Sequence, residues 1–117
     1  MDFTALFKAP EAEGKEKHVP VIERGSGHNG THDNVVIVMV GKETPHPNTL
    51  EHHIVWIELY GVKKENDQVV YIGRADFAPT TADPTATFKV LDLDQYKALG
   101  AVSYCNIHGL WKNTFEL

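Results

Sequence analysis

Cys105 is the only cysteine of the chain, and His108 follows it in the run Cys105-Asn106-Ile107-His108-Gly109. A thiolate and an imidazole at that spacing converge on one metal ion if the backbone turns between them, and Gly109 permits a tight turn. Alone the pair is weak, because a cysteine near a histidine also arises by chance. A second group adds weight. His46, His52 and His53 fall close together in a chain of seven histidines. His46 is flanked by Pro45 and Pro47, which stiffen the backbone around it. His52 and His53 are adjacent; in an extended chain they point to opposite faces, so only one reaches a shared site, and spacing does not say which. His18, in Glu16-Lys17-His18-Val19-Pro20, reads on its own as part of a solvated charged turn. His28 and His32 lie in a Gly- and Asn-rich stretch and read as solvent-facing.

Four imidazoles and one thiolate suggest a particular class of metal. Zinc in structural sites takes four ligands and has no redox chemistry. Five nitrogen and sulfur donors with one position open suit a metal that tends to octahedral geometry, and iron is the natural choice. A trigonal copper site would want an axial methionine. The only methionines are Met1 and Met39, and neither follows the Cys-x-x-His turn. Copper is therefore disfavoured, though another axial donor would satisfy it.

Strands must position these groups. Residues 35–40 are β-branched apart from Met39 and read as a core strand. Residues 54–60 and 69–77 read as two more. Residues 85–91 set Ala86, Phe88 and Val90 against Thr85, Thr87 and Lys89, the alternation of a half-buried strand. Residues 101–105 form a short strand, and residues 113–117 close an edge. Val19, Val21 and Ile22 mark an extended segment. A helical turn is expected around residues 3–8, stopped by Pro10, and residues 92–100 form one helical turn or a long loop. Turn residues fill 24–34, 41–50, 61–68 and 79–84. Five to seven strands without a long helix favour an all-β sandwich or barrel in one domain spanning residues 1–117.

Composition agrees. Hydrophobic residues make up 42% of the 117, and the formal net charge is -5. No basic stripe invites nucleic acid, and no apolar run approaches the roughly 20 residues needed to cross a bilayer. A lone cysteine forms no intrachain disulfide, which fits a reducing, cytoplasmic setting. An acidic surface attracts anions poorly, so an anionic substrate would need a local positive field.

Three motifs resemble those of the superoxide reductases, in the one-iron form called neelaredoxin, whose domain is also the catalytic half of desulfoferrodoxin. They are Glu16-Lys17-His18-Val19-Pro20-Val21-Ile22, the run from His46-Pro47-Asn48 through His52-His53 to Trp56-Ile57, and Ser103-Tyr104-Cys105-Asn106-Ile107-His108-Gly109-Leu110-Trp111. Together, in this order, they are specific, and the resemblance covers essentially the whole chain. It implies an immunoglobulin-like β-sandwich holding one non-haem iron that reduces superoxide to hydrogen peroxide. It implies four equatorial nitrogens from His18, His46, His52 and His108, with Cys105 as the axial thiolate. The first histidine of the 52–53 pair is then the ligand. The same resemblance gives Glu16 as a ligand of the ferric ion and Lys17 as a cation beside the open position. Backbone N–H groups of Ile107 and His108 would moderate the sulfur. It also implies an external electron donor such as rubredoxin, and a homo-oligomer, dimer or homotetramer. No cysteine precedes Cys105, so no second iron centre is expected. The rival readings are an electron carrier with one copper or iron, a binding domain with structural zinc, and a superoxide dismutase.

Overall fold

Strand β3, Ile54–Lys63, runs through the middle of the larger of two antiparallel sheets. The structure is a computed structural model and describes residues 1–13, 18–25 and 34–117. The larger sheet has the order β4-β3-β6-β7, with β4 at Val69–Asp76, β6 at Tyr96–Cys105 and β7 at Gly109–Glu116. The smaller has the order β1-β2-β5, with β1 at Val21–Gly25, β2 at Val35–Met39 and β5 at Thr85–Lys89. The fold is the immunoglobulin-like, all-β sandwich.

The core lies between the inner faces. Val36, Val38, Ile57, Leu59 and Leu99 are fully buried, joined by Ile22, Val40, Ile54 and Val90. Each large aliphatic side chain contributes about 1.5–3 kcal/mol by leaving water. Two details of register aim the site. In β6, Leu99, Ala101, Ser103 and Cys105 form one period-2 series pointing inward, so the strand delivers the Cys105 sulfur to the interior at its last residue. In β3, the pairing with β6 shifts between Ile54 and Trp56, so Ile54 opposes Cys105 and Trp56 opposes Tyr104. That irregularity lets Ile54 and Ile57 both face the core at an odd spacing, and it re-aims the chain that carries His52 and His53.

Several boundaries differ from the sequence reading. β6 starts at Tyr96, whereas residues 92–100 read as a turn or loop; only Leu93–Gln95 is a 3-10 turn. β3 continues to Lys63, because Gly61 and Val62 pair with both neighbours. β7 is one continuous strand, and β1 extends through Arg24 and Gly25 by pairing with Val36 and Val35. The helical turn expected around residues 3–8 is a 3-10 turn at Phe3–Leu6. Beyond it the chain joins the edge of the larger sheet: the Lys8 amide donates to the Leu110 carbonyl at 3.0 Å, and the Lys112 amide to the Lys8 carbonyl at 2.7 Å. Among the described residues, no helix is long and apolar enough to cross a membrane.

Candidate metal centre

Each donor reaches the site by a local device. Cys105 and Gly109 are paired across the β6–β7 hairpin, and residues 106–108 form its loop. Gly109 takes φ +82, the left-handed conformation that closes such a loop and that other residues adopt with strain. The loop turns the His108 ring back toward the sulfur and places the His108 amide 3.4 Å from Cys105 Sγ as a donor. Of the two amides expected to touch the sulfur, that of His108 does so, and among the described residues the Ile107 amide makes no bond to it.

His46 is carried by the turn after β2. Gly41, at φ +86, lets the chain fold back so closely that a Cβ there would stand 2.8 Å from the backbone nitrogen of His46. The His46 Nδ1–H donates to the Pro47 carbonyl at 2.7 Å, since a carbonyl oxygen only accepts. That bond fixes the tautomer and leaves Nε2 with its lone pair, 3.5 Å from Cys105 Sγ. His18 precedes β1. Its carbonyl accepts from the buried Ser103 hydroxyl at 2.9 Å, and the Glu13 carboxylate accepts from its amide. The Trp111 indole lies flat against its ring, with centroids 4.6 Å apart and planes 9° from parallel. Lys8 Nζ stands 5.3 Å from the centroid of the same indole and donates to the His108 carbonyl at 3.1 Å.

The donors converge. The ligating atoms of His18, His52, Cys105 and His108 all lie within 4.8 Å of one another. With His46 the imidazoles close into a ring. Centroids are 4.7 Å apart for His18–His46, 4.7 Å for His46–His52, 4.9 Å for His52–His108 and 4.8 Å for His108–His18. His18 and His52 sit across it at 6.5 Å. Four nearly equal edges and a longer diagonal describe a near-square. The sulfur of Cys105 is fully buried, His18 and His46 are buried, and His52 and His108 are half-buried. The sulfur is therefore the most deeply buried of the five groups, and His52 and His108 are the ones that reach solvent.

The structure thus brings together His18, His46, His52, His108 and Cys105. Glu16 and Lys17 lie outside the described residues, as do His28 and His32. His53 stands apart, its Nδ1–H donating to the Thr49 carbonyl at 2.9 Å. Trp111, Ser103 and Gly41 are parts of the site that residue spacing does not single out, although Ser103 and Trp111 belong to the third motif.

The residues from 11 to 114 match the model of the desulfoferrodoxin family. The chain belongs to that family. Its relatives in the desulfoferrodoxin family include a superoxide reductase of Pyrococcus horikoshii, 48% identical over 107 residues, which cover 87% of this chain and 88% of that one. The neelaredoxin of Megalodesulfovibrio gigas is 39% identical over 112 residues, covering 85% of each chain. Among solved structures, the superoxide reductase (1Fe-SOR) from Giardia intestinalis superposes with a TM-score of 0.77 at 42% identity, over 88% of this chain and 100% of that one.

Proposed function

We propose that this protein, a single domain over residues 1–117, reduces superoxide to hydrogen peroxide at one iron ion held by His18, His46, His52, His108 and Cys105. The observation that carries the reading is the square of imidazoles above a buried sulfur. Five donors exceed the four of structural zinc, and a mixed imidazole and thiolate set suits a redox metal. Iron bound there would alternate between ferrous and ferric states and pass one electron to superoxide, which with two protons becomes hydrogen peroxide.

The chain's own residues do the rest. Cys105 is the most deeply buried of the five, so the anion enters from the side where His52 and His108 meet solvent. Four neutral imidazoles and one thiolate leave a divalent ion with a net charge of about +1, which attracts a small anion despite the acidic surface. Lys17, next to His18 in sequence, adds a local positive charge, and the neighbouring Glu16 supplies a carboxylate that closes the site between turnovers. The His108 amide restrains the sulfur's electron donation. A small rubredoxin-like protein returns the electron. The enzyme works in the reducing cytoplasm as a homo-oligomer, a dimer or tetramer, with neither nucleic acid nor membrane as partner.

The deciding experiment is product stoichiometry under anaerobic conditions with a reductant. A reductase forms one hydrogen peroxide per superoxide and no oxygen. A dismutase forms half as much peroxide with oxygen beside it, and an electron carrier forms none above background; either result would overturn the reading. Replacing Lys17 with alanine is expected to slow the bimolecular reaction several-fold and flatten its dependence on ionic strength, because steering by a single charge is screened by salt. Stopped-flow or pulse-radiolysis rates across a salt series check this.

A further inference from the structure

The two loops that carry Cys105, His108 and His52 come from distant parts of the chain, and one side chain joins them. Asn106 follows Cys105 directly and is half-buried. Its Oδ1 accepts from the His53 amide at 2.9 Å, and its Nδ2 donates to the Glu51 carbonyl at 2.9 Å. Its own amide donates to the His53 carbonyl at 3.2 Å. Asn106 therefore grips the residue on each side of His52. Thr49 holds His52 itself: the His52 amide donates to Thr49 Oγ1 at 3.0 Å, and the Thr49 amide to the His52 carbonyl at 2.9 Å. The carboxamide suits this task because it donates at one end and accepts at the other; a carboxylate only accepts, and a leucine of similar shape does neither.

We infer that Asn106 is a positioning residue, which holds His52 in fixed relation to Cys105 and His108 through its bonds to Glu51 and His53. The inference rests on the reading of the five donors as one iron site. Without the side-chain clamp, the 49–53 loop keeps its internal Thr49 bonds and the Asn106 amide's bond to the His53 carbonyl, but it loses its hold at the Glu51 carbonyl and the His53 amide, and the His52 corner of the square loosens against the β6–β7 hairpin. Partners that orient metal ligands typically hold about 10–100-fold in metal affinity.

The test uses the iron-loaded full chain and two readings: the visible absorption of the oxidised protein, and the rate at which ferrous iron passes to a coloured chelator. Asn106→Ala and Asn106→Leu are expected to lose iron about 10–100-fold faster than the parent and to shift the visible band. Asn106→Asp keeps the bond from the His53 amide and regains part of the loss. Val90→Ala, a core change away from the site, lowers general stability and serves as the control, with the parent's rate and band. Alanine and leucine variants that match the parent in both readings would overturn the inference. So would a Val90→Ala chain that sheds iron as fast as Asn106→Ala, since the loss would then follow general stability. A parent chain with no visible thiolate band would instead remove the iron–sulfur site, and the inference with it.

Discussion

Replacing Cys105 with serine is expected to bleach the oxidised protein and to cut superoxide reduction by more than about a hundredfold, since even the outer partners of metal ligands are worth about 10–100-fold. The sulfur is fully buried, with His46 Nε2 at 3.5 Å and His108 Nδ1 at 3.8 Å. It is the one soft donor of the set, and a hydroxyl neither ionises as a thiol does nor offers a polarisable electron pair. The fold should survive. Serine is nearly the same size, and its oxygen can accept from the His108 amide that now points at the sulfur. Absorption spectra, superoxide kinetics and a thermal melt of the same variant separate these effects. A serine variant that keeps the visible band would show that the thiolate is not bound to the metal.

Trp111→Ala is expected to give the largest loss of stability among single changes near the site, about 3–5 kcal/mol for deleting a buried aromatic. In a domain of this size that lowers the melting midpoint by roughly 10–20 °C. Trp111 is 3% exposed, pairs with Ser103 across the sheet, and forms the wall against which the His18 ring lies. Its removal leaves His18 free to tilt and Lys8 without the ring beneath it. Trp111→Phe should recover most of the stability: it keeps a flat apolar face, and among the described residues the indole N–H has no hydrogen-bond partner to lose. Calorimetry with and without iron checks both variants. An alanine variant melting within a few degrees of the parent would mean that the indole is not part of the packed layer.

Much of the strand pattern was legible because it depends on local alternation. The β-branched run in β2 and the alternating residues of β5 read correctly from type alone. The start of β6 did not. Tyr96-Lys97-Ala98-Leu99-Gly100 contains good helix formers and a glycine, and it is extended only because β3 and β7 pair with it on either side. The site divides in the same way. Residue type and spacing brought out Cys105, His108 and His46, yet left the 52–53 pair undecided and read His18 as solvated, so that only the motif resemblance supplied it. The structure separates those two through bonds that single-residue reading does not reveal, with the His53 ring on the Thr49 carbonyl and the His53 amide on Asn106. The roles of Ser103, Trp111 and Asn106 likewise depend on which distant segment each strand faces.

His18 and His108 stand 3.1 Å apart across 90 residues of sequence. On the ribosome, the three earlier imidazoles emerge long before Cys105 and His108, and the hairpin carrying those last two donors must pair with β3 before the sulfur is in place. A nascent chain therefore offers no complete set of donors. Metal capture by all five groups waits until the β6–β7 hairpin has closed on β3, and it couples to the last step of assembling the larger sheet.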